Sequence, residues 1–177
     1  MTPEIIKTAI KLGSMQKESE LNYLLKRAVG LKVIVEIGTA KGGTLWGLCQ
    51  VADKDALIIS IGLPGLVFSV KGHDEESIGV LEEMAVGNQS VKVVGKDSHS
   101  PEAKQELERI LGGRKIDFLF IDGDHTWLGA KTDFLTYSPF VKEGGRVAFH
   151  DIGDYPFHGG NCCEVNKLWS LLKNHYK

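Results

Sequence analysis

Apolar residues along this chain fall into two rhythms. Ile5, Ile6, Ala9 and Ile10 recur at helical spacing, and so do Leu21, Leu24, Leu25 and Ala28, which predicts helices over 3–12 and 16–29. Gly13-Ser14 separates the two and Gly30 ends the second. Beyond residue 31 the rhythm changes to short apolar runs, at 32–37, 56–61, 90–94, 116–121 and 145–149. Runs of this length, rich in Val, Ile and Phe, suit strands covered on both faces. Helical patterns are predicted between them, at 43–52, 73–86, 101–111 and roughly 126–137, with a last helix at 163–174. Ser98 or Ser100 offers the cap for the helix that Pro101 opens and Gly112-Gly113 stops. Gly62-Leu63-Pro64-Gly65 reads as a loop, and residues 66–72 fit neither rhythm.

Strands alternating with helices predict an α/β fold with a mainly parallel sheet and right-handed crossovers. Residues 1–30 form a helical flank or lid, and 31–177 form one globular domain. In such sheets ligands bind beyond the carboxyl ends of the strands, at the point where strand order reverses. Every polar cluster of the chain falls at such an end.

The bulk properties narrow the partners. The chain has 177 residues and a net charge of −2, which gives no basis for a nucleic-acid surface. No apolar run is long enough to span a membrane, and Met1-Thr2-Pro3-Glu4 lacks a signal-peptide pattern. Cys49, Cys162 and Cys163 have no framework spacing, so a reducing, cytoplasmic setting is expected.

Four clusters could carry chemistry. In Glu36-Ile37-Gly38-Thr39-Ala40-Lys41-Gly42-Gly43 a strand runs through a glycine turn into a helix. Gly38 permits the turn, Gly42 and Gly43 leave room for a ligand, and the helix N–H groups point into the turn. The spacing is not the Gly-x-Gly-x-x-Gly of dinucleotide folds, which argues against NAD. Asp122-Gly123-Asp124-His125 follows the fourth strand, with Asp124 either capping the next helix or serving the site. His150-Asp151 follows the fifth. If those strands are neighbours, their ends lie about 5 Å apart. Asp122 and Asp151 could then share a divalent cation: Mg²⁺ or Ca²⁺ for oxygen ligands, Mn²⁺, Fe²⁺ or Zn²⁺ with an imidazole. His125 or His150 is placed to act as a general base. In His158-Gly-Gly-Asn-Cys162-Cys163 a loop running into a helix is favoured over a zinc site, because four ligands at standard spacing are not present.

Taken together and in order, Val35 to Thr44, Leu57 to Gly65, Asp97-Ser98, Ile121 to His125, Tyr137 to Gly145 and Phe149-His150-Asp151 resemble class I S-adenosylmethionine-dependent methyltransferases, nearest to the cephalosporin hydroxylase and macrocin O-methyltransferase group. The resemblance implies a Rossmann-like sheet of about five strands in the order 3-2-1-4-5, with helices on both faces. It implies S-adenosylmethionine as cofactor, held by Glu36, Gly38, Thr39, Lys41, Gly42 and Gly43, with Asp97 and Ser98 at the adenine and Asp122 beside them. It implies a metal held by Asp122, His150 and Asp151, and transfer of a methyl group to a hydroxyl of a small-molecule acceptor, with His125 or His150 as the base. Trp127, Tyr155 and Phe157 could line the acceptor pocket or be ordinary packing.

Two departures stand out. The family carries an acidic residue at the end of its second strand that takes both ribose hydroxyls; here Gly62 stands there. The family's final antiparallel hairpin has no counterpart, so the fifth strand would be an exposed edge, covered by the last helix or by a second subunit in a homo-oligomer. Those departures favour a second reading, a non-catalytic relative that binds a nucleotide or a partner. A metal-dependent hydrolase using Asp122, Asp124 and Asp151 is the third.

Overall fold

The computed structural model describes residues 2–63, 75–153 and 163–175. Five parallel strands form one sheet in the order β3-β2-β1-β4-β5, as the motifs implied. They are β1 (Val33–Ile37), β2 (Leu57–Gly62), β3 (Ser90–Gly95), β4 (Ile116–Ile121) and β5 (Val141–Phe149). All residues of β1 and β2 are buried, which is why neither shows the alternation of a half-exposed strand. The order reverses between β1 and β4, so the switch point lies where the glycine turn meets Asp122.

Strand residues alternate between two cores. On one face Ile34, Ile58, Val91, Phe118 and Phe120 pack under α1 (Pro3–Lys11), α2 (Glu18–Ala28), α3 (Gly43–Val51) and Leu81 of α4 (Glu75–Glu82). On the other, Val35, Ile37, Ile59, Ile61 and Leu119 pack under α5 (Pro101–Leu111) and α6 (Trp127–Tyr137). The first two helices are not a lid. Ala9, Leu21 and Leu25 are fully buried in the first core, and the chain between α1 and α2 presses against the start of α3.

Two expectations shift in detail. The fifth strand begins at Val141, not at residue 145, because Lys142, Glu143 and Gly144 lie in the strand yet are exposed, and a register irregularity between Ile116 and Phe118 accommodates them. The fourth helix ends at Glu82, short of residue 86. The outer edge of β5 pairs with no strand among the described residues, and the last helix meets this strand at its final residue, Phe149. That helix, α7 (Val165–Leu172), packs on α6, with Trp169 against Phe149 at 6.2 Å. The uncertain stretch 66–72, together with Tyr155, Phe157, His158 and Cys162, lies outside the described residues.

The room expected for a ligand at Gly42 and Gly43 is filled by the protein. A Cβ at Gly43 would collide with the Ala9 carbonyl oxygen and the Ser14 amide, and one at Gly42 with Leu81. The glycine at 43 therefore joins the N-terminal helices to the sheet. Gly43→Ala should destabilise the fold by about 1–3 kcal/mol through overpacking. Urea denaturation measures this, and an unchanged midpoint would mean that α1 shifts away freely.

Candidate active site

The strand ends form a row held by the backbone. The Gly38 N–H donates to the Ile61 carbonyl at 2.8 Å, the Asp122 N–H to Ile37 at 2.8 Å and the His150 N–H to Ile121 at 3.0 Å. Gly38 has φ +100°, and any Cβ there would collide with the Asp122 carbonyl. The turn and the first carboxylate thus fit together only with glycine at this position.

Four predicted residues converge at the β4–β5 end. His150 Nδ1 lies 3.2 Å from Asp122 Oδ1 and 3.2 Å from Asp151 Oδ1. His125 spans the same two carboxylates, with Nε2 3.3 Å from Asp122 Oδ1 and Nδ1 3.2 Å from Asp151 Oδ2. Burial works against the charge on His150, but Asp122 and Asp151 outweigh it and push its pKa up to about 10. Contact with Asp122 likewise raises the His125 pKa against its partial burial. His150 in turn holds the Asp151 carboxyl below the usual range. His150 is therefore cationic at neutral pH and offsets the charge of the paired carboxylates. Asp151 sits at φ +54°, a conformation that Asp tolerates better than most residues.

Gln16 was missed as a member of this cluster, and Cys163 was read only as part of a loop running into a helix. Gln16 donates from Nε2 to Asp122 Oδ2 at 2.6 Å, while its Oε1 accepts from Thr44 Oγ1 at 2.7 Å and from the Ser14 hydroxyl. Nothing in its local sequence marks it, because it lies 106 positions from its partner. Cys163 brings its Sγ to 3.8 Å from the Asp151 carbonyl oxygen. Its neighbour Glu164 ties that segment to the β4–α6 loop, donating N–H to the His125 carbonyl at 2.8 Å and accepting from the Trp127 N–H at 3.3 Å.

The other candidates take separate places. Glu36 is fully buried, with Ser60 Oγ donating to its Oε2 at 2.7 Å and Thr39 Oγ1 2.8 Å from Ser60 Oγ. Its Oε1 has no hydrogen-bond partner, and burial pushes its pKa up to about 8. A Cβ at Gly62 would lie 2.6 Å from Thr39 Oγ1, so Thr39 fills the space beside the missing acidic residue. Lys41 is exposed, its stem lying across Gly13.

At the tip of β3, Asp97 and Ser98 form a bend. Asp97 accepts from the His99 N–H at 2.9 Å, and the Ser98 carbonyl accepts from the Tyr137 hydroxyl at 2.5 Å. Ser100, not Ser98, caps α5. Asp133 of α6 lies beneath this bend, 3.4 Å from His99 Nε2, and burial raises its pKa to about 6. Asp124 does not cap α6; Thr126 does, and Asp124 accepts the Thr126 N–H at 2.8 Å. Trp127 packs between α6 and α7, with Lys131 Nζ 4.5 Å above its ring.

Residues 35–152 match a family described as a methyltransferase domain. The chain belongs to this methyltransferase-domain family. The resemblance to class I methyltransferases drawn from the motifs is thereby borne out. An uncharacterized protein of Acanthamoeba polyphaga mimivirus is 31% identical over 134 residues, which cover 76% of this chain and 58% of that protein. The chain thus spans less than two thirds of that relative. Among solved structures, the MycE methyltransferase from the mycinamycin biosynthetic pathway, in complex with Mg and SAH, matches with a TM-score of 0.58 at 16% identity, over 98% of this chain and 46% of MycE. PRMT6 matches with a TM-score of 0.52 at 14% identity, over 84% and 45% of the two chains. At these identities the likeness is one of fold.

The matched span of the methyltransferase domain runs from β1 to just past Asp151, so it contains the residues expected to hold the cofactor and the metal and to act as base. Gln16 and Cys163 lie outside it on either side.

Glu36 yields a test of the turn's electrostatics. Its pKa is about 8 when folded and near 4.5 otherwise, so between those values the unfolded chain has released a proton that the folded one keeps. Stability therefore falls as pH rises from the lower value to the upper. Glu36→Gln should remove that fall, gaining about 1–3 kcal/mol at pH 8. Urea midpoints of both proteins at pH 5 and pH 8 check it; parallel midpoints would show that Glu36 is not held neutral.

Proposed function

We propose that this methyltransferase domain uses S-adenosylmethionine to methylate a hydroxyl of a small acceptor, assisted by a divalent cation. The observation that carries the reading is the row of strand ends, in which the glycine turn and the Asp122–His150–Asp151 cluster stand side by side at the switch point. The β3 tip lies three strand spacings from β4, about 14 Å. That span suits an elongated cofactor with its adenine at Asp97 and Ser98 and its methionine end at Gly38 and Thr39.

The donor set fits a cation. Asp122, His150 and Asp151 each offer a ligand atom within 4.8 Å of the others, and neither ring nitrogen of His150 makes a well-directed hydrogen bond. When bound, the cofactor supplies an electrophilic methyl group and the cation supplies charge that lowers the pKa of an acceptor hydroxyl. Asp122, His150 and Asp151 would hold the cation, His150 releasing its proton to do so. Gln16 fixes the Asp122 carboxylate by its hydrogen bond. His125, the more exposed imidazole, would take the acceptor's proton. Positioning of the hydroxyl against the methyl group supplies most of the rate.

A second reading, a domain that retains the fold without the activity, draws support from Gly62 and from Thr39 filling the space beside it. Calorimetric titration with S-adenosylmethionine and S-adenosylhomocysteine, with and without Mg²⁺, separates the two. Micromolar binding and methylation of catechol-type acceptors are expected; absence of binding at millimolar ligand would favour the second reading. Asp122→Asn should weaken Mg²⁺ binding about ten-fold or more with the fold retained. Unchanged affinity would remove Asp122 from the cation site.

A further inference from the structure

The cluster at the β4–β5 end contains more donors than one oxygen-rich cation needs. Asp151 belongs to two groups: one with Asp122 and His150, the other with His125 and Cys163. In the second, an imidazole nitrogen, a carboxylate oxygen and a sulfur all lie within 4.8 Å of one another. They come from three different segments: the loop after β4, the end of β5 and the residue two before α7. Tetrahedral zinc with ligands at its usual bond lengths sets donor atoms about 3.3–3.7 Å apart, so modest side-chain rotation closes the gap. His125 Nδ1 and Asp151 Oδ2 already stand 3.2 Å apart. The hydrogen bonds of Glu164 to the His125 carbonyl and the Trp127 N–H hold the cysteine segment against the histidine loop. His125 is about half exposed, which leaves a side open for water or another ligand.

We infer that His125, Asp151 and Cys163 form a second cation position, selective for thiophilic divalent ions of the zinc class. Sulfur and imidazole donors favour Zn²⁺, Co²⁺ and Fe²⁺ over Mg²⁺, whereas Asp122, His150 and Asp151 accept the harder ion. On binding, the Cys163 thiol gives its proton to solvent as the sulfur–metal bond forms, and His125 gives up its Nδ1 proton in the same way. Because Asp151 is shared, the two positions compete. The binding itself does not depend on methyl transfer. Its consequence does: an ion at this position occupies the imidazole that the proposed reaction uses as its base, so zinc-class ions would inhibit where Mg²⁺ supports.

The test uses the full chain, reduced and freed of metal, titrated with Co²⁺ while the thiolate-to-cobalt charge-transfer band in the near ultraviolet is followed. The wild type should show the band at one equivalent, Zn²⁺ should displace it, and Mg²⁺ alone should produce none. Cys163→Ser should abolish the band with unchanged circular dichroism, while Cys49→Ser and Cys162→Ser should keep it. His125→Ala should weaken Co²⁺ binding about ten-fold or more. If Cys163→Ser fails to fold, X-ray absorption of the zinc-loaded wild type decides, one sulfur scatterer being expected. No band at saturating Co²⁺, a band that survives Cys163→Ser or follows Cys162, or a sulfur-free zinc spectrum would overturn the inference. None of these readings requires S-adenosylmethionine, so a failure of methyl transfer leaves the result distinct.

Discussion

Two carboxylates held at the tips of neighbouring parallel strands repel each other, and the architecture of this site follows from how that repulsion is met. Asp122 and Asp151 are fixed by the β4–β5 ladder and have little freedom to move apart. In the structure two imidazoles and one amide surround them. A carboxylate pair of this kind either binds cations or keeps a proton. Here a proton sits on His150, and a metal bound between the carboxylates would have to displace it. Such exchange couples cation affinity to pH, with metal favoured as the imidazole becomes easier to deprotonate.

The N-terminal helices belong to the same arrangement. Gln16 is tethered on one side to Ser14 and Thr44, at the start of α3, and on the other to Asp122. Gly43 lets the α1–α2 connection lie directly against α3. Those two contacts make residues 1–30 a wall of the site, not an appendage. Glu20 extends the wall, its carboxylate 3.6 Å from His150 Nε2.

Most of the fold was legible because the strands are fully buried and short, which gives unambiguous apolar runs, and because glycine turns punctuate them. β5 was only partly legible: Lys142, Glu143 and Gly144 lie in an edge strand where polar residues are tolerated, and their pattern reads as a turn. At the site, Asp122, His125, His150 and Asp151 were visible because strand ends in a parallel sheet converge by topology alone. Gln16 was invisible because it reaches the site from the connection between α1 and α2, and the approach of Cys163 to Asp151 from the segment before α7 was likewise unmarked, since no local pattern records such tertiary approach. The glycines misled for a related reason. A glycine marks a close approach of main chain, but the sequence does not say whether a ligand or the protein itself approaches, and at Gly42 and Gly43 it is the protein.

Charge divides the row of strand ends into unlike halves. Around β4 and β5 stand two carboxylates and two imidazoles, of which His150 is held cationic. Around β1 and β2 the one acidic side chain among the described residues, Glu36, is neutral over most of the physiological range and sealed behind Ser60 and Thr39, and Gly62 adds no charge. A cofactor lying across this row would meet hydrogen-bonding groups and shape at its ribose and full charge only at its reactive end. Affinity built on neutral contacts is weaker than a carboxylate grip on two hydroxyls, but it is also less sensitive to salt. In the proposed reaction the ionic half would dominate the electrostatics, because charge acts most strongly where a partly buried cluster keeps water away. Losing the acidic residue of β2 is thus a change in how a ligand would be held, and it leaves the groups placed to do chemistry intact.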